Sequence, residues 1–310
     1  MSGEVIMHRF RKSLVPALLL GAVLAAAMPA AAQERFPTPE AAAAAIVEAA
    51  RQPGTAALDR IFGPQAKDLL ISGDEATDRK RLEDFLALAG KRSTVTDGID
   101  GRKVLVFGTD GWRFPVPLAK QGDAWVFDLA AGKQEIADRA VGRNEVAAIS
   151  ACADYVAAQR EYFNSLHDDQ PVQQYAQRFI SAPGLHDGLY WEPRAPGDRS
   201  PLGDRIAAAA RESVGEAGEP RAYHGYIYRI LTRQGADAPG GAYDYMVKGR
   251  LLAGFAMLAY PERWQETGVM TFLCDQRGQV YEINLGPRTA MHAKRIKSFD
   301  PGPGWEPVGE

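Results

Sequence analysis

Five apolar residues, Val146, Ile149, Ala153, Val156 and Phe163, recur at steps of 3, 4, 3 and 7, the spacing that lines side chains along one stripe of an α-helix. A helix with one buried stripe must lie on something. Downstream come short runs with strand character: His224 to Leu231, Ala242 to Val247, Gly254 to Tyr260, Val269 to Cys274 and Gln279 to Ile283. Asp275-Gln276-Arg277-Gly278 reads as a hairpin turn between the last two, with glycine where positive φ is needed. The second half is therefore predicted to be one long helix on an antiparallel sheet.

Helices followed by strands also occur upstream. Thr38 can cap a helix that has Pro39 in its first turn, runs through alanines to Arg51 and stops at Pro53-Gly54. A short helix is expected over Thr55 to Phe62 and an amphipathic one over Glu75 to Ala89. Strands are expected over Ser93 to Ile99, Lys103 to Gly108, Arg113 to Leu118 and Ala124 to Leu129. Gly142 interrupts helical propensity just before the stripe begins, so the reading divides the chain into an α+β unit over 33–138 and a helix-plus-sheet unit over 139–310. Within the second, 166–220 is rich in Pro, Gly, Asp and Arg and reads as a long loop excursion with a single helix at Leu202 to Ser213.

Residues 1–32 have a different character. A basic run from His8 to Lys12, an apolar stretch from Leu14 to Met28 and the small residues Ala30-Ala31-Ala32 read as a secretory signal peptide, cleaved before Gln33. A transmembrane anchor would need about 20 apolar residues, so no anchor is expected after cleavage, and the expected location is periplasmic or secreted. The net charge of −3 becomes about −5 once Arg9, Arg11, Lys12 and Glu4 leave. Nucleic-acid binders are usually basic, which argues against that class.

The combination Gly142-Arg143-Asn144-Glu145-Val146-Ala147-Ala148-Ile149, Tyr175-Ala176-Gln177-Arg178-Phe179, Gly188-Leu189-Tyr190-Trp191, Tyr223-His224-Gly225-Tyr226, Ala238-Pro239-Gly240-Gly241-Ala242 and Gly268-Val269-Met270-Thr271-Phe272 resembles the bacterial family catalogued as domain of unknown function 2950. That resemblance spans nearly the whole mature chain and implies export without an established activity. The helix from Asn144 and the meander ending Gly268-x-x-x-Phe272-x-x-Asp275-x-x-Gly278-x-x-Tyr281 are also similar to the head of type IV pilins and type II secretion pseudopilins. Here, however, a polar folded unit stands where a pilin has its apolar half-helix. The first unit is similar, in helix and strand order, to the cone-shaped nuclear transport factor 2 fold. Fold analogy of this kind licenses no function.

Chemical motifs are sparse. His167, His186, His224 and His292 lie in no zinc-type spacing, and there is no nucleophile elbow, phosphate loop or dinucleotide turn. No cofactor is expected, and no metal: after His167-Asp168-Asp169 come Gln170, Pro171 and Gln173, not the alternating oxygen ligands of a calcium loop. Phe107, Trp112, Phe114, Trp125 and Phe127 would line the concave face of a cone and accept a small apolar ligand; the plainer reading makes them core. Tyr223, His224, Tyr226 and Arg229 crowd one strand and are candidates for a partner surface, although alternation along a strand buries half of such a set. Cys152 falls on or beside the helix stripe and Cys274 shares strand parity with Met270 and Phe272, so the two thiols meet if the helix covers that face. They then form a disulfide or stay as buried free thiols. These features favour an exported, non-catalytic binding or scaffolding protein of the cell envelope. The alternative is a hydrolase or isomerase acting on a small molecule inside the first unit.

Overall fold

The computed structural model describes residues 33–63, 69, 74–202 and 222–309. The leader, and all but the first residue of the helix expected at Leu202 to Ser213, lie outside the described residues. The first unit opens with α1 (Pro39–Arg51), whose Thr38 cap accepts a hydrogen bond from the Ala41 amide at 3.1 Å. Next come α2 (Ala56–Phe62) and α3 (Glu75–Lys91). Strands β1 (Ser93–Asp97), β2 (Lys103–Phe107), β3 (Trp112–Arg113), β4 (Leu118–Gln121) and β5 (Ala124–Phe127) form an antiparallel sheet in the order β1-β2-β4-β5, with β3 pairing to β2. The run expected as one strand over Arg113 to Leu118 is broken between β3 and β4, because Pro115 and Pro117 cannot donate to a ladder. The fold is α+β, and the described strands close no barrel.

One continuous helix crosses the expected boundary. Asp128 accepts from the Ala131 amide at 3.0 Å and caps α4, which then runs without interruption from Leu129 to Phe163. Its 35 residues span about 52 Å. Gly142 is an interior helical residue in open space, where it costs roughly 1 kcal/mol relative to alanine. One glycine weakens such a helix without ending it. The division near Ala137 to Arg143 therefore falls inside one continuous element that serves two cores.

The buried face of α4 also has a different phase from the apolar stripe. Val146 is 64% exposed and Ala153 is exposed, while Ala148, Cys152, Tyr155, Val156, Gln159 and Tyr162 are buried. Tyr155 and Gln159 can be buried because each is satisfied. The Tyr155 hydroxyl donates to the Ala256 carbonyl at 3.3 Å, and the Gln159 amide bonds both the carbonyl and the N–H of Ala176 at 2.9 and 2.8 Å.

Beneath this face lies the second antiparallel sheet, made of β6 (Tyr226–Leu231), β11 (Ala256–Pro261), β12 (Thr271–Asp275), β13 (Val280–Ile283) and β14 (Glu306–Pro307) in the order β14-β13-β12-β11-β6. Two small ribbons accompany it: β7 (Arg233–Gln234) with β8 (Tyr243–Asp244), and β9 (Met246–Val247) with β10 (Arg250–Leu251). On the opposite face, Arg229 donates to the carbonyls of Ala293 and Ile296 and so caps the C-terminal end of α5 (Thr289–Arg295).

Candidate functional site

The excursion after α4 is built around Tyr162. Its hydroxyl donates to the His186 carbonyl at 2.8 Å and accepts from Gln170 Nε2 at 3.0 Å, while its ring stacks on His167 with centroids 3.9 Å apart. The His186 amide donates to Asp168 Oδ2 at 2.7 Å, its ring packs on Trp191, and its Nε2 lies 3.4 Å from Asp198. Asp198 accepts from the Arg194 amide at 2.8 Å and from Trp191 Nε1 at 2.7 Å, bonds that hold its carboxyl below the usual carboxylate range. Residues read as a long loop excursion are thus tied to the end of a helix by side chains.

Against this excursion the β9–β10 turn closes a crevice of about 460 Å³. One wall carries Asp168, Asp169 and Asp187, and the turn contributes Lys248 and Arg250, neither of which forms an ion pair with a described residue. Gln170 Oε1 and Gln174 Oε1 are buried without a hydrogen-bond partner, and Gln174 as a whole is more than nine-tenths buried. The crevice offers Lys248 and Arg250 to an anionic group of a small polar ligand, beside the carboxylates of Asp168, Asp169 and Asp187. Asp168 and Asp187 are already engaged by the His186 and Ala182 amides, at 2.7 and 2.8 Å. Among the described residues no three His, Cys, Asp or Glu side chains converge to hold a metal ion.

The five aromatic candidates of the first unit are brought together, but as packing. Phe107, Phe114 and Phe127 are buried, and with Phe36, Phe62 and Phe85 they form a continuous set of ring contacts, Phe62 to Phe127 at 4.6 Å and Phe85 to Phe107 at 5.0 Å. Trp112 and Trp125 close the edges of this cluster. The helices α1, α2 and α3 pack on the face of the sheet that carries these rings. Nearby, a cavity of about 410 Å³ lies instead between the sheet and the first turns of α4, and of the five rings only Phe114 touches it.

The strand candidates separate in the same way. Tyr226 is fully buried, its hydroxyl donating to the Met270 carbonyl at 2.8 Å, and its ring occupies the space that a Cβ at position 268 would need. Arg229 is spent on the end of α5. His224 is exposed, in a turn where it has φ of 46°, and Tyr223 is half-buried, as is Arg229. Cys152 and Cys274 form a disulfide with Cα atoms 6.0 Å apart, tying α4 to β12.

Sequence reasoning passed over the polar clamp at the middle of α4. Asn144 donates to the Thr267 carbonyl at 2.9 Å, and Glu145 accepts from the amides of Val269 and Met270 at 2.8 and 3.0 Å. Glu282, directly opposite Glu306 in the sheet register, has its pKa raised by burial and by the charges of Glu145 and Glu306. A polar pair just before an apolar stripe, far in sequence from its partners, has no local signature. Among the described residues no helix is long and apolar enough to cross a membrane.

A family model described as a protein of unknown function (DUF2950) matches residues 33–308. No curated protein and no solved structure matches the chain.

Proposed function

We propose that this chain, which belongs to the DUF2950 family, is an exported protein of the cell envelope that binds its target and does not transform it. The observation that carries the binding half is the crevice of about 460 Å³ beside Tyr162, lined by Lys248 and Arg250, neither of which forms an ion pair with a described residue. Export is supported by the signal-like residues 1–32 and by the Cys152–Cys274 disulfide, a bond that persists in oxidising compartments. Purified, oxidised protein beginning at Gln33 is to be screened by thermal unfolding against free amino acids, dipeptides and uronic acids. At least one should raise the midpoint saturably, and the rise should fall at least tenfold in apparent affinity when Lys248 and Arg250 are both changed to alanine. A panel without effect, or an effect indifferent to the double change, overturns the crevice as the site. For export, an N-terminus found well upstream of Gln33 on the processed protein would count against the leader.

The second reading, a hydrolase or isomerase in the first unit, is favoured by the cavity of about 410 Å³ beside α4. Its carboxylates are tied to neighbours: Glu135 to Arg139 at 2.7 Å, and Asp138 to the Gln134 amide at 2.8 Å. A pair so engaged orients side chains more readily than it transfers protons.

A further inference from the structure

We infer that the outer edge of β1, which pairs with no other described strand than β2, is a docking groove for an extended, basic peptide segment, which adds to the first sheet as a further strand. The hydrogen-bond phase of the edge is fixed by its ends. Gly98 donates to the Arg102 carbonyl at 2.9 Å and Gly108 donates to the Arg92 carbonyl at 3.0 Å. With Thr94 opposite Val106 and Thr96 opposite Val104, the residues bonded to β2 are Arg92, Thr94, Thr96 and Gly98. In an antiparallel ladder the intervening residues point their N–H and C=O the other way. Ser93, Val95 and Asp97 therefore present main-chain donors and acceptors outward, and no described residue bonds them. Natural sheets usually blunt such an edge with proline, lysine or a covering element. The β1 sequence Ser-Thr-Val-Thr-Asp has strong strand propensity and neither proline nor lysine.

Beside the edge runs a groove of about 500 Å³ between β1 and α1. Ala43, Ala44 and Val47 form its helical wall, and Val95 lies on the helix-covered face of the sheet, opposite the buried Leu105. Small wall residues leave room for side chains that enter at every second position of an added strand. Glu40 sits on the rim, exposed and without an ion pair to a described residue, whereas Glu48 is paired with Arg51 and Asp97 with Lys103. A lysine or arginine in the incoming segment meets Glu40. A second copy of this chain is the poorer occupant, because each copy's groove carries Glu40 and its one lining cation, Arg51, is already paired with Glu48. The groove is distinct from the crevice beside Tyr162, and the inference stands without it.

The test uses oxidised full-length mature protein and a fluorescein-labelled peptide of sequence Lys-Val-Thr-Val-Thr-Val, with a copy N-methylated at alternate amides as control. The native protein should bind the peptide and protect the amides of Ser93, Val95 and Asp97 from exchange, and the methylated copy should bind at least tenfold more weakly. Val95→Pro removes an outward N–H that the ladder to β2 does not use, so it should keep the fold and lose at least tenfold in affinity. Ala44→Glu, at an exposed helical position, should also weaken binding without touching the strand, and covers the case in which Val95→Pro fails to fold. No binding of the peptide, protection at other amides, or unchanged affinity in a folded variant overturns the proposal. A dimer in sedimentation that Val95→Pro dissolves overturns it in favour of self-pairing.

Discussion

The two cores solve the same problem by different means. The first, between α1, α2, α3 and the β1–β5 sheet, is stabilised by rings: six phenylalanines and Trp112 linked by ring contacts, with Trp125 packed beside them and alanines of α1 allowing close approach. The second, between α4 and the β6–β14 sheet, buries Tyr155, Gln159, Tyr162 and Tyr226 with their polar atoms bonded, and adds a disulfide. An apolar core tolerates loss in proportion to volume, whereas a polar one depends on every partner being present. The long helix runs from one to the other.

That contrast can be broken most severely in the first core. Phe127→Ala should cost about 3–5 kcal/mol, read by urea unfolding, with amides of β11 and β12 keeping their exchange protection if the cores are independent. Loss of protection in both sheets would show that α4 transmits the damage. The disulfide comes next. Replacing Cys152 and Cys274 by alanine releases a loop of 122 positions, worth up to ~5 kcal/mol on the chain-entropy estimate and commonly 2–4. The loss should fall on the second core alone, measured as a separate thermal transition. A smaller effect is expected from Gln159→Leu, which keeps the volume but strands the Ala176 N–H and C=O. A loss of about 1–3 kcal/mol is expected, and a neutral result would mean that water or a shift of the excursion replaces those bonds.

The smallest effect has a sign that depends on pH. The Glu282 carboxyl has a pKa above its ordinary 4.5, so its ionised form is disfavoured in the folded state. The penalty is full above the folded pKa, is relieved as pH falls through it, and is absent below the unfolded value. Glu282→Gln should therefore raise stability at pH 7 by a few tenths of a kcal/mol, the usual scale for like charges opposed across strands. At pH 4 the difference from the native protein should vanish, and a gain that persists there would assign the effect to packing.

Much of the architecture is legible in the residues themselves. Helix caps at Thr38, strand runs punctuated by glycine and the hairpin at Asp275 to Gly278 are local patterns, and local patterns are written within a few residues of one another. Parity and periodicity also carried Cys152 and Cys274 to facing surfaces, because both quantities count residues along a single element. What only the tertiary structure decided is everything that depends on satisfaction at a distance. Gly142 stays helical because the turns on either side of it are packed, and Val146 turns outward because Tyr155 and Gln159 find partners more than a dozen residues away. The ring cluster fills because three helices close on it, and Lys248 and Gln174 line one crevice only because the excursion folds back over the end of α4. Hydrophobic periodicity records which atoms avoid water, but a polar atom avoids water equally well once it is bonded, and its bonding partner is a property of the fold.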